Sequence, residues 1–329
     1  MGSFQPPKIS IVTPSFNQGQ YIEQTICSVL DQQYPNLEFL IIDGGSTDNT
    51  VEVIKKYEKY ISYWESIPDR GQTHAINKGY SRCTGEVFNW LNSDDYYNEG
   101  ALAEVGDFFG RNNGLEVLCG LENGFYHENP ELIIPHPGSI IAKTVEETIF
   151  TAIIDQPCTF FRKSVIDPFF PLNESLRYVM DRELWIKYLA SRGVKNIQRT
   201  NQILTWFRIH ADSKSGSEID KFEPEVQLLH SRLIKQIGGP DWLCPVAETI
   251  QNQGTQLIDA EVSFNKKELL KLYIKQFITR NYIIKDLAKV RQAALYKWSR
   301  YGWRLSDLKL LIKAFLIPQS VIEWVKGRV

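Results

Sequence analysis

A chain of 329 residues with 43% hydrophobic content has material for one large core, or a core with an appendage, and it shows no repeat or low-complexity segment. No apolar run approaches the roughly 18 residues of a membrane span, and five scattered cysteines without a C-x-x-C pair argue for a reducing compartment and against structural zinc. The net charge of −2 hides a split, because residues 261–329 carry 15 Lys/Arg against 5 Asp/Glu while the remainder carries 22 against 34.

In chain order, Lys8 to Asn17 predicts a buried strand running into a Pro- and Asn-marked loop. A helix follows with Tyr21, Ile22, Ile26, Val29 and Leu30 on one stripe. Leu37 to Ile42 predicts a second strand, ending in Asp43-Gly44-Gly45-Ser46-Thr47-Asp48. Asp48 or Thr47 can cap the next helix, which leaves Asp43 free to accept a hydrogen bond from a ligand's imide or hydroxyl. Gly71 to Thr84 predicts a helix with Ala75, Ile76, Gly79 and Tyr80 inward. Val87 to Leu91 predicts a buried strand ending in Asn92-Ser93-Asp94-Asp95. Paired carboxylates there fit a hard cation shared with phosphate oxygens, although Ser-Asp-Asp also makes a good turn. The order strand, helix, strand, helix, strand, acidic loop is that of a nucleotide-binding α/β half. No G-x-G-x-x-G or G-K-[ST] loop accompanies it, so phosphate needs another holder.

Further on, Gln156 to Arg162 predicts a strand, Leu184, Tyr188 and Leu189 mark a helix with Asp181 in its first turn, and Ile203 to Ile209 predicts a strand ending at His210. As a structural residue, Asp181 would complement the helix dipole. A lone histidine is more often structural than a ligand.

The segments Ile11-Val12-Thr13-Pro14-Ser15-Phe16-Asn17, Asp43 to Asp48, Asp69-Arg70-Gly71 and Asn92 to Asp95 resemble the ordered motifs of family 2 glycosyltransferases, over about residues 8 to 212. The likeness is to the bacterial branch that builds O-antigens and other surface polysaccharides. It implies an α/β GT-A fold, Rossmann-like with a mostly parallel sheet flanked by helices. The catalytic domain would span residues 1–215, divided near residue 98, with a helical region over 216–329. It further implies a metal-dependent, inverting transfer from a nucleotide diphosphate sugar, a UDP-sugar favoured, to a hydroxyl of a glycan or lipid-linked acceptor. Thr13, Pro14, Phe16, Asp43, Arg70 and Asp94 would bind the nucleotide sugar, and Asp95 would hold Mg²⁺ or Mn²⁺. His210 would join that metal or donate to the β-phosphate. Asp181 would be the base, where the family writes Glu-Asp and this chain has Met180-Asp181. Gln156 and Glu183 are acceptor-side candidates, Glu183 being the second choice of base although it points roughly 200° away on the helix. For Arg70, a surface ion pair is the plainer alternative. The processive Q-x-x-R-W motif is absent, which favours one transfer per encounter. A silent nucleotide-sugar binding module and a nucleotidyltransferase are the rival classes.

In the tail, one long helix is predicted from Asn265 to Ser299, followed by aromatic and basic residues including Trp303 and Arg304 and a third amphipathic stretch, Leu308 to Leu316. Lys and Arg interleaved with Trp and Tyr suit a helix lying on an anionic bilayer. The alternatives are packing on the acidic domain or a homo-oligomer; nucleic acid is disfavoured because no reading motif appears. The expected location is cytoplasmic, peripheral on the inner membrane face.

Overall fold

The computed structural model describes residues 6–246, 256–259 and 261–302. Nine strands form one sheet: β1 (Ile9–Ser15), β2 (Leu37–Asp43), β3 (Tyr63–Ser66), β4 (Val87–Trp90), β5 (Tyr96–Tyr97), β6 (Val117–Tyr126), β7 (Asn129–His136), β8 (Thr159–Arg162) and β9 (Ile197–Ile209). The helices are α1 (Ile22–Leu30), α2 (Thr50–Tyr57), α3 (Gln72–Tyr80), α4 (Ala101–Arg111), α5 (Val145–Thr151), α6 (Lys163–Ile166), α7 (Met180–Arg192), α8 (Lys214–Ser217), α9 (Phe222–Gln236), α10 (Lys266–Ile283) and α11 (Leu287–Tyr301).

The strand order is β3-β2-β1-β4-β8-β6-β9-β5, with β7 paired to β6. The first four strands are parallel, β8 is antiparallel to both neighbours, and β6 and β9 are parallel again. Central parallel strands are covered on both faces, which explains why β1 is buried along its whole length. Alternate side chains serve opposite cores: Ile9 and Ile11 pack with Ile22, Ile26, Val53 and Phe109, while Val12 packs with Ile76, Phe161 and Trp185. Helix α3 lies close on β1, and a Cβ at Gly79 would come within 2.4 Å of Val12 Cγ1.

The second core continues into the carboxyl-terminal helices. Leu229 and Leu233 of α9 and Leu269, Leu270, Tyr273 and Ile274 of α10 join the cluster that contains Leu184 and Trp185 of α7. Tyr273 also stands edge-on to Phe150 of α5 and meets His230 Nδ1 at 2.7 Å through its hydroxyl. The expected single helix from Asn265 to Ser299 is instead two. Lys285 turns the chain with φ of 61°, and Asp286 caps α11 by accepting from the Lys289 N–H. An Asp preceding a good helical run is a start signal that the apolar periodicity masked. Trp303, Arg304 and Leu308 to Leu316 lie outside the described residues. Among the described residues, no helix is long and apolar enough to cross a membrane.

Candidate active site

The loops after β1, β2 and β4 meet at the carboxyl end of the parallel strands, the usual ligand crevice of such sheets. The first two are laced together. Asn17 N–H donates to Ser46 Oγ at 2.7 Å, Thr47 N–H to Asn17 Oδ1 at 2.9 Å, and Gly19 N–H to Asp48 Oδ2 at 2.9 Å. Asp43 is fully buried and organises its own turn: Oδ2 accepts from Ser46 N–H, Gly45 N–H and Ser66 Oγ, and Oδ1 from Ser46 Oγ. Gly45 has φ of 85°, and the missing Cβ of Gly44 admits the Asp69 carboxylate, whose Oδ1 would be 3.1 Å from it. Thr13 and Pro14 are buried in β1, and Phe16 stands 59% exposed beyond its end. Arg70 pairs with Glu174 at 2.7 Å, joining the loop before α3 to the segment before α7 on the surface.

The two adjacent aspartates have different surroundings. Asp95 is 1% exposed; Oδ1 accepts from Arg208 N–H at 3.0 Å and Oδ2 from Asn92 Nδ2 at 3.2 Å. Burial, then the Asp94 charge, pushes its carboxyl well above the ordinary range. Asp94 is partly open, and its Oδ2 lies 3.1 Å from Nε2 of the buried His210 at the end of β9. Arg208 holds both together, since its Nε donates to the Asp94 carbonyl at 2.9 Å. The guanidinium packs over Tyr21 and Phe125, with centroid distances of 4.9 and 4.8 Å. Nδ1 of His210 is buried and has no hydrogen-bond partner among the described residues. The open Asp94 carboxylate with His210 Nε2 beside it leaves room for a divalent cation, whereas both oxygens of the enclosed Asp95 already accept protein hydrogen bonds.

Asp181 lies half-buried in the first turn of α7. Burial raises its carboxyl to about 6, opposed by the Arg182 N–H that donates to Oδ1 at 2.7 Å and by the Arg182 charge. Glu183 points into the core, 1% exposed, with Lys187 at 3.7 Å. Gln156 precedes rather than joins β8, and its buried amide donates to the Trp90 carbonyl at 2.7 Å and to Asn89 Oδ1. Both acceptor-side candidates therefore face protein. Two residues the motifs did not flag bridge the crevice instead. Lys214 Nζ donates to Gln72 Oε1 at 2.7 Å and to the Arg177 carbonyl at 2.6 Å, and Gln72 Nε2 donates to Asn92 Oδ1 at 2.6 Å. Burial, then Arg177, lowers the Lys214 pKa, and the Asp181 charge acts on the same ammonium. Lys214 and Gln72 are 142 residues apart, so no local signal could have joined them.

Residues 10–170 match the sequence model described as Glycosyl transferase family 2. They form a family 2 glycosyltransferase domain. An uncharacterized glycosyltransferase of Rickettsia typhi is 26% identical over 92% of this chain and 95% of its own length. The poly(ribitol-phosphate) beta-N-acetylglucosaminyltransferase TarP of Staphylococcus aureus is 31% identical over 49% of this chain and 50% of its own. Among solved structures, S. aureus TarS 1-349 in complex with UDP-GlcNAc superposes with a TM-score of 0.58 at 18% identity, covering 93% of this chain and 79% of that one. The mannosyltransferase PcManGT of Pyrobaculum calidifontis, in complex with GDP-Man and Mn²⁺, does so with a TM-score of 0.52 at 14% identity, covering 98% and 84%. These likenesses establish the expected GT-A fold for this family 2 glycosyltransferase, with its mixed, mostly parallel sheet between helical layers.

Proposed function

We propose that this glycosyltransferase moves a sugar from a nucleotide diphosphate donor, a UDP-sugar in preference, to a glycan or lipid-linked acceptor of surface-polysaccharide synthesis, with inversion. The observation that carries the reading is the acidic loop at the strand ends, where Asp94 meets His210 and where Lys214 joins Gln72 to the Arg177 carbonyl just before α7, the helix that carries Asp181. Phe16 offers its exposed face to the nucleotide base, and the Asp43 turn shapes the floor beneath. Asp94 and His210 would hold Mg²⁺ or Mn²⁺, with Asp95 bracing the loop from behind. When bound, the cation offsets charge on the leaving diphosphate as a Lewis acid. Asp181 takes the proton of the acceptor hydroxyl as the new bond forms on the face opposite the diphosphate. A carboxyl raised to about 6 is still ionised at neutral pH and is a stronger base than an ordinary aspartate. The test is a panel of UDP- and GDP-sugars with Mn²⁺, following nucleotide released and the anomeric configuration of the glycoside. Nucleotide release without glycoside, for every donor and acceptor, would sink the transferase reading.

The carboxyl-terminal helices supply a membrane contact in this proposal. Most of their apolar stripe is buried against protein, but Leu295 and Trp298 on α11 are exposed, and so are Ile283 and Ile284 at the turn between α10 and α11, beside Arg280 and Lys285. Basic residues around exposed isoleucines suit the cytoplasmic face of an anionic membrane, where confinement raises the concentration of a lipid-linked acceptor. Because α10 belongs to the core, the tail is tested by Ile283→Glu with Ile284→Glu rather than by truncation. The wild type should sediment with anionic vesicles and the variant should not; equal sedimentation would exclude this contact.

A further inference from the structure

Three side chains outside the proposed transfer chemistry converge beyond the acidic loop. Glu122 on β6, His136 at the end of β7 and Asp155 before β8 each bring one ligand atom within 4.8 Å of the others. Strand pairing sets this convergence: Glu122 lies opposite His136 in the β6–β7 ladder and opposite Thr205 in the β6–β9 ladder. Asp155 is aimed by its main chain, whose N–H donates to Ser139 Oγ at 2.9 Å and whose carbonyl accepts from Thr159 Oγ1 at 2.7 Å. His136 Nδ1 reaches Asp155 Oδ2 at 2.8 Å.

A separate observation is that Glu122 lacks partners. It is 6% exposed, and its Oε2 receives one long hydrogen bond, 3.3 Å from Thr205 Oγ1. Its Oε1 receives none among the described residues, and no Lys or Arg there pairs with either Glu122 or Asp155. A buried carboxyl stays neutral, or is costly as a carboxylate, unless it is well hydrogen-bonded, paired with a cation or bound to a metal, and a metal can displace its proton. Here the first two are wanting.

We propose that Glu122, His136 and Asp155 form a second divalent-cation site that takes Zn²⁺ or Mn²⁺. Two carboxylate oxygens with one imidazole match those ions better than Ca²⁺ or Mg²⁺, which prefer oxygen alone. Missing cysteine pairs excluded thiolate zinc only; this donor set comes from three separate segments and leaves no compact motif. The ion would tie the exposed β7 arm to the sheet.

The test uses the full chain, stripped with chelator and dialysed, without nucleotide. Equilibrium dialysis against Zn²⁺, and separately Mn²⁺, at concentrations too low to fill the two-ligand Asp94–His210 site in the absence of a diphosphate, should show one equivalent bound. Glu122→Gln and His136→Ala should each weaken that binding roughly tenfold or more, and Asp94→Asn should leave it unchanged. His136 is half exposed, so its removal spares the core, and melting curves give a second readout. Zn²⁺ should raise the Tm of the wild type and of Asp94→Asn but not of His136→Ala. No bound equivalent in the wild type, binding indifferent to both triad variants, or binding lost with Asp94→Asn would each overturn the site. The readout is metal binding alone, so its failure is distinct from failure of sugar transfer.

Discussion

On the side of the fold built from β1 and β2, Glu38, Asp43 and Asp48 each sit among several donors; on the far side, Glu122 and Asp181 meet little beyond one hydroxyl and one main-chain N–H. The consequence is opposite. Burial pushes Glu38 up, yet the donors from Lys8, Ser10 and Thr84 outweigh it and hold the carboxyl at about 2. Burial raises Glu122 to about 8, with Asp155 adding to it, and raises Asp181 to about 6. Donor-rich carboxylates build a frame, whereas desolvated ones retain the basicity or ligand hunger that chemistry uses. Asp95 is the seam, buried like the second group but clamped like the first.

The largest effect should come from Asp181→Asn, which keeps the shape but cannot take a proton. Its kcat should fall roughly 10²–10⁴-fold with donor affinity unchanged by calorimetry. A wild-type rate would place the base elsewhere and erase the distinction between the two sides. Next comes the aspartate pair. Asp94→Asn should lower kcat by roughly 10²–10³-fold with little change in Tm, because on the proposed reading it removes a charge that holds the cation against the diphosphate. Asp95→Ala should instead cost about 1–3 kcal/mol in urea unfolding, since it strands the Arg208 N–H. If Asp95 proves the metal ligand, the chelator sensitivity of the two variants will be reversed.

A third expectation is the acid limb of the pH profile. As the proposed base, Asp181 would work only when ionised, so kcat/KM should be level above about 6 and decline as pH falls below it. A limb near the ordinary aspartate value of 3.8 would show that desolvation does not reach this carboxyl. The smallest effect concerns the frame. Glu38 has a folded pKa near 2, below its ordinary 4.5, so its contribution is complete above 4.5 and lost as pH falls toward 2. Urea unfolding of Glu38→Gln should show a deficit of roughly 1–3 kcal/mol at pH 6 that shrinks through that window. A deficit independent of pH would mean the charge is irrelevant.

Strands β1, β2 and β4 were legible because each is a short apolar run ending in turn chemistry, and helix α3 because its stripe survives in Ala75, Ile76 and Tyr80. The hairpin of β6 and β7 gave no such signal. The β7 run Asn129–His136 is exposed on nearly every residue and holds Pro130 and Pro135, which is tolerable only at an edge. The motif order located the acidic loop but could not tell which aspartate faces outward, since that depends on Arg208 and His210, 113 or more residues away. The same dependence hid Lys214 and the roles of Gln156 and Glu183, whose side chains are aimed by packing rather than by spacing.

The grip of Arg208 on the acidic loop also bears on how the protein is made. The short strand β5, just after Asp95, has β9 as its ladder partner, with Tyr96 opposite Trp206. A ribosome delivers the parallel strands first, yet their acidic loop has neither its clamp nor its histidine until residues 206–210 emerge. The nascent nucleotide half would be a collapsed sheet with an unanchored loop, and donor binding would begin late in synthesis. Placing the closing strand so far along the chain lengthens the search that completes this loop.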